Sequence, residues 1–133
     1  MAPNILNASA LVFIVPCIKA WVINHTYAFR YILLWMNITS QIYHATHHPV
    51  MRTIDIISAH STVVYHIAYS MYCSTLTWRV YFMYASAAYA ALIYWIFRKS
   101  RTSDTWHASM HFITCIGSYL LISEPLCLSE GTK

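Results

Sequence analysis

His107 and His111 stand four residues apart in the stretch Trp106-His107-Ala108-Ser109-Met110-His111. On a helix, that spacing puts both imidazoles on one face, one turn apart, so a single helix can offer two ligands to one metal ion. The stretch Ser40-Gln41-Ile42-Tyr43-His44 repeats the spacing with a hydroxyl and an imidazole. Asp55 lies just inside an apolar stretch, where a carboxylate is costly unless a cation or hydrogen bonds hold it. Three histidines with an open fourth position fit a catalytic zinc site, so His44, His107 and His111 are the candidate ligands. Zinc lowers the pKa of a bound water toward about 7 and polarises a carbonyl. Asp55 is placed to orient that water and take its proton, and Ser40 to donate a hydrogen bond to the oxyanion. The expected chemistry is hydrolysis of an amide or ester. The alternative for the histidines is interhelical hydrogen bonding without a metal, and for Asp55 an ion pair with Arg52 or a helix cap.

The elements that must carry these residues follow from composition. Of 133 residues, 59% are hydrophobic and 9% are charged, against about a quarter charged in soluble domains. A chain this short has too little core to hide so much apolar surface, which makes lipid the expected solvent. With 2 glycines and 4 prolines, a turn-rich barrel is disfavoured and helices are expected. Tyrosine (11) and tryptophan (5) are abundant, as at membrane interfaces. The expected fold is all-α, a single domain over 1–133 forming a polytopic transmembrane bundle of about five spans. A ruler of roughly 20 apolar residues per crossing places them near Ile5–Asn24, Ala28–Thr46, Thr53–Cys73, Leu76–Phe97 and Thr105–Ile122.

Pro16 is expected to kink the first span, and Lys19 to reach an interface by its long stem. The first residues lack the basic region of a signal peptide, so the first helix is expected to stay as a span. Cys17, Cys73, Cys115 and Cys127 form no C-x-x-C pair and read as small apolar fillers. The net charge of +4 is spread along the loops, so no nucleic-acid partner is expected. Arg52, Arg98, Lys99 and Arg101 share the N-terminal side, which predicts that side to be cytoplasmic.

Five alternating spans also bring the chemistry together. The second span ends, and the third and fifth begin, on the same membrane face. Ser40, His44, Asp55, His107 and His111 then lie at similar depth, one to two turns inside that face. Spans were counted from hydropathy alone, so the convergence is independent of the residue types. The substrate expected in this setting is a membrane lipid.

The same residues resemble the signature of the alkaline ceramidases, a branch of a superfamily of seven-span membrane hydrolases that includes the adiponectin and progestin receptors. The first motif, Ser-x-x-Phe/Tyr-His followed by a small residue and Thr, stands here as Ser40-Gln41-Ile42-Tyr43-His44-Ala45-Thr46. The aspartate eleven residues after the histidine, typical of the ceramidase branch, is Asp55. The last motif, Trp-His-x-x-x-His, is Trp106 to His111, with Gly117-Ser118-Tyr119 behind it. The resemblance implies a zinc held by His44, His107 and His111, with Asp55 and Ser40 assisting the water and the oxyanion. It also implies a sphingolipid amide substrate and, in a eukaryote, a place in the endoplasmic reticulum or Golgi. This chain is two spans short of the family, a loss between Asp55 and the last motif that preserves sidedness. The family's acidic calcium-binding N-terminal segment is absent, so calcium is not expected.

Two other readings are carried. His44-Ala45-Thr46-His47-His48 also matches the H-x-x-H-H box of membrane di-iron desaturases and hydroxylases, and the 8 histidines match a typical ligand count. That chemistry needs a further His-His pair, which the sequence lacks, and His60 and His66 fall on offset faces. A non-catalytic accessory subunit of a larger membrane complex, or a small channel or transporter, is the other class. Membrane-protein partners or a second copy would then cover its flanks.

Overall fold

A computed structural model of the chain describes residues 5–73, 76–97 and 103–124, and every regular element in them is helical. The helices are α1 (Ile5–Ala10), α2 (Ile14–Val22), α3 (Tyr27–Thr46), α4 (Pro49–Cys73), α5 (Trp78–Phe97) and α6 (Ser103–Ile122). A 3₁₀ turn over Leu11–Phe13 joins α1 to α2 into one helical segment, Ile5–Val22. The expected all-α class is thus observed. Most helix ends fall within two residues of the expected spans. The exception is α4, which starts at Pro49 instead of Thr53. Proline suits the first helical position, where its fixed φ fits and its missing N–H goes unneeded. The charged loop behind the expected orientation, Arg98 to Thr102, and the tail from Pro125, with Cys127, lie outside the described residues.

Local chemistry explains the breaks. Pro16 has no N–H to bond the Val12 carbonyl, and its ring crowds that group. The helix tightens into the 3₁₀ turn just before it, and the Cys115 thiol donates to the Val12 carbonyl at 3.2 Å. The α2–α3 corner closes on Asn24, whose φ of 52° is left-handed, a conformation asparagine tolerates. Asn24 N–H bonds the Trp21 carbonyl and His25 N–H the Ala20 carbonyl, the paired pattern of a Schellman cap. His47, with φ also 52°, ends α3 two residues before Pro49.

Packed side by side, the helices run in the order α4, α3, α1–α2, α6, α5. α5 and α6 form the tightest pair, while α4 and α5, consecutive in the chain, touch least and leave a cleft. Gly117 allows the α5–α6 approach: a Cβ there would collide with the Ser86 hydroxyl and sit 3.1 Å from Ser86 Cβ and 3.4 Å from Met83 Cα. Phe13, Phe29, Leu33, Met36, Val80, Met83 and Leu121 form the apolar centre. At the end where α2 stops, Lys19 meets the Ser123 hydroxyl and lies over the Tyr119 ring, and Arg79 and Thr77 hold the buried Glu124 carboxylate.

Polarity is arranged inside out. On α4, Asp55, Ser58, Thr62, His66 and Ser70 are buried, while Val50, Ile57, Val64 and Met71 are exposed at seven-residue intervals. Exposed aromatics stand at both ends, Trp21, Tyr27, Tyr72 and Trp78 at one and Tyr94 and Trp95 at the other, with Trp35 and Phe112 exposed midway along α3 and α6. Two segments, Ile5–Val22 and Trp78–Phe97, are long and apolar enough to cross a membrane.

Two outcomes are expected. Gly117→Ala should destabilise the protein by about 1–3 kcal/mol through overpacking. In a Ser86→Ala background the loss should be smaller, as a denaturation double-mutant cycle would show. His25, in the α2–α3 loop, is packed against Phe29 and Tyr69, with Nδ1 accepting the Thr26 N–H at 2.9 Å. Burial, and then the nearby Arg30 charge, hold its pKa below the usual 6.5. A depressed histidine stabilises the fold while neutral, so this contribution is full above pH 6.5 and is lost as the pH falls through the lowered folded-state value. His25→Asn should flatten that acid-side loss in a melting series against pH.

Candidate metal centre

Three helix ends meet at the end of the bundle opposite Lys19: the last turn of α3 and the first turns of α4 and α6. His44 comes from α3, and His107 and His111 come from α6. The ring centroids of His44 lie 5.1 Å from His107 and 5.3 Å from His111, and the two α6 rings are 4.7 Å apart. One nitrogen from each ring falls within 4.8 Å of the others. In a tetrahedral site with Zn–N of about 2.0–2.1 Å the nitrogens stand about 3.3–3.4 Å apart, so a pair separated by the full 4.8 Å would have to draw together by about 1.4 Å.

The hydrogen bonding of the three rings fits that role. His44 is buried, yet neither Nδ1 nor Nε2 has a hydrogen-bond partner. A buried imidazole left so is costly, and a metal on one nitrogen would relieve much of the deficit. His111 Nδ1 lies 2.9 Å from the Ser9 hydroxyl, which also donates to the Leu6 carbonyl at 3.0 Å. A hydroxyl has one proton; with that proton on Leu6, Ser9 accepts from His111 Nδ1–H. The tautomer so fixed leaves the Nε2 lone pair free for a metal, as an outer partner does in metal sites. Ser9 belongs to no motif and lies 102 residues from His111, so sequence spacing carried no sign of it.

Asp55 and Ser40 line one cavity of about 140 Å³ together with His107 and His111. The Ser40 hydroxyl lies beside the Asp55 carboxyl in that cavity. Asp55 is buried and Arg52 exposed, and no ion pair joins them among the described residues. The structure therefore brings together all five residues expected at the site. The remaining histidines lie apart: His47, His48 and His60 are exposed, while His25 and His66 pack around Phe29. That scatter lends no support to a di-iron centre.

A second hollow, a cleft of about 390 Å³, runs between α4 and α5 and shares Asp55, Ala59, Val63, Ala87, Ala90, His107 and Met110 with the cavity. The site is thus open sideways, through a wall of alanine, valine and isoleucine with Tyr94, Phe97 and Trp106, and with Arg52, His60 and Asp104 also lining it. No protein-family model matches the chain, and no curated protein or solved structure matches it.

Titration with zinc followed by metal analysis should give one ion per chain, and none in His44→Ala. Ser9→Ala should keep the site but weaken its affinity roughly 10- to 100-fold, the usual effect of losing an outer hydrogen-bond partner.

Proposed function

We propose that this chain is a zinc-dependent hydrolase of lipid amides, or of esters, of the alkaline ceramidase type. It would sit in the bilayer as a multi-pass bundle of about five spans. The observation that carries the reading is the buried His44 ring, with both nitrogens unpartnered, beside His107 and His111 in the wall of a cavity that also holds Asp55 and Ser40. The bilayer setting is supported by the inverted polarity of α4, the aromatics at both ends of the bundle and the two long apolar segments. Exposed apolar area on this scale marks a surface that meets lipid or another membrane protein.

Zinc on the three histidines would supply a water that ionises near neutral pH and a Lewis acid for the carbonyl. The chain's own residues do the rest. Asp55 takes the proton of the attacking water and returns it to the departing amine, general base and then general acid. Ser40, which lines the cavity with Asp55, would donate to the charge developing on the carbonyl. Ser9 keeps the His111 ring in the ligating tautomer. The α4–α5 cleft admits the apolar part of the substrate laterally, so that a lipid need not leave the bilayer to reach Asp55.

An accessory subunit would share the fold and the exposed flanks, and the two readings part on turnover by the isolated chain. Purified protein should hydrolyse an N-acyl lipid amide, lose activity to a chelator and regain it with zinc. Asp55→Asn should lower kcat by about 100- to 10,000-fold while keeping one zinc per chain. Absence of metal in the wild type, or turnover indifferent to chelation, would sink the hydrolase.

A further inference from the structure

Beyond the metal centre, the cavity wall has an unusual chemistry. Thr62, Ser86, Thr114 and Ser118 all line it, contributed by α4, α5 and α6. Three of these hydroxyls have already placed their proton on their own helix: Thr62 on the Ser58 carbonyl at 2.8 Å, Ser86 on Met83 at 2.7 Å and Thr114 on Met110 at 2.6 Å. Each hydroxyl has one proton to give, so what these three offer the cavity is lone pairs. At these three positions the wall accepts hydrogen bonds.

Two of these acceptors, Thr62 and Ser86, share a depth with the Ser118 hydroxyl, which can donate as well as accept. Thr62 is seven residues beyond Asp55 on α4, and Ser118 is seven beyond His111 on α6, each about 10 Å along its helix. Ser86 is level with them, because Gly117 packs directly on it. One turn deeper than Thr62, His66 lines the same cavity, 4% exposed and with no hydrogen-bond partner at Nε2. An acceptor belt in an otherwise apolar tube of methionine, alanine and valine suits a group that brings its own donor.

We infer that Thr62, Ser86 and Ser118 form a subsite for a hydroxyl carried partway along the substrate's hydrocarbon chain, roughly 10 Å from the bond that is cleaved. The identity of the occupant as a lipid chain rests on the hydrolase reading above; the acceptor belt itself does not. A plain chain threads the same cavity but leaves the belt's lone pairs unmet. A hydroxyl at the right carbon gives its one proton to Thr62 or Ser86 and can accept that of Ser118.

The test is equilibrium binding of free fatty acids to the full chain in nanodiscs, with and without added zinc. The probes form a series with one hydroxyl at successive carbons, beside the unsubstituted acid. A mid-chain hydroxyl should tighten binding about fivefold over the plain acid, the worth of one net hydrogen bond, with weaker effects on either side. Thr62→Val and Ser86→Ala should each shrink that preference while leaving the affinity for the plain acid unchanged, which also shows the variants to be folded. A profile flat in position, or a hydroxyl that weakens binding at every carbon as for a belt already satisfied by water, would overturn the subsite. A position-dependent preference in protein that holds no zinc and turns nothing over would instead overturn the hydrolase and leave the subsite standing.

Discussion

Polar side chains turned toward the middle of the bundle must find their partners there, and the rest of the structure is arranged around that need. α4 buries a carboxylate, three hydroxyls and an imidazole along one face, and α3 buries Thr39, Ser40 and His44. Left unmet, each such group costs on the order of 1–3 kcal/mol, more if charged. Thr39, Thr62 and Ser70 are met locally, their hydroxyls bonding back to their own helix. Those that are not are concentrated near the ends of α3 and along the cavity, and they are the groups from which a function can be argued.

The outward face sets the complementary condition. Apolar side chains exposed along every helix gain little from packing against one another when the surroundings are also apolar. Close approach then has to come from small residues and polar contacts. Gly117 against Ser86 serves α5 and α6; Lys19 with Ser123, and Arg79 with Glu124, tie the opposite end. Between α4 and α5 the Ser70 hydroxyl meets the Tyr84 hydroxyl at 2.7 Å, and the cleft opens on the metal-site side of that contact.

The site sits where three helix ends converge, which accounts for its rigidity and its access together. His44 is held by the last turn of α3, Asp55 by the first turns of α4, and His107 and His111 by the first turns of α6. Each is on regular helix, so its direction is set by backbone geometry and not by a loop. The sideways cleft then exposes this fixed arrangement to whatever lies against α4 and α5.

How much of this was legible beforehand depends on the range of the interaction. Helix positions were readable from hydropathy, since a run of apolar residues and a proline or asparagine at its end are local signals; only the start of α4 moved, to Pro49. The common depth of Ser40, His44, Asp55, His107 and His111 was readable too, because alternating helices leave only two ends for a residue to lie near. Tertiary packing decided the rest. Ser9 on His111, the burial of His25, the α4–α5 cleft and the acceptor belt below the site all depend on which helix lies beside which. Sequence spacing holds no record of that choice, for it is made by contacts between faces of helices far apart in the chain. The motif residues themselves were determined by their order along the chain; whether their nitrogens would be left without partners, and so free for a metal, was decided only when the helices closed around them.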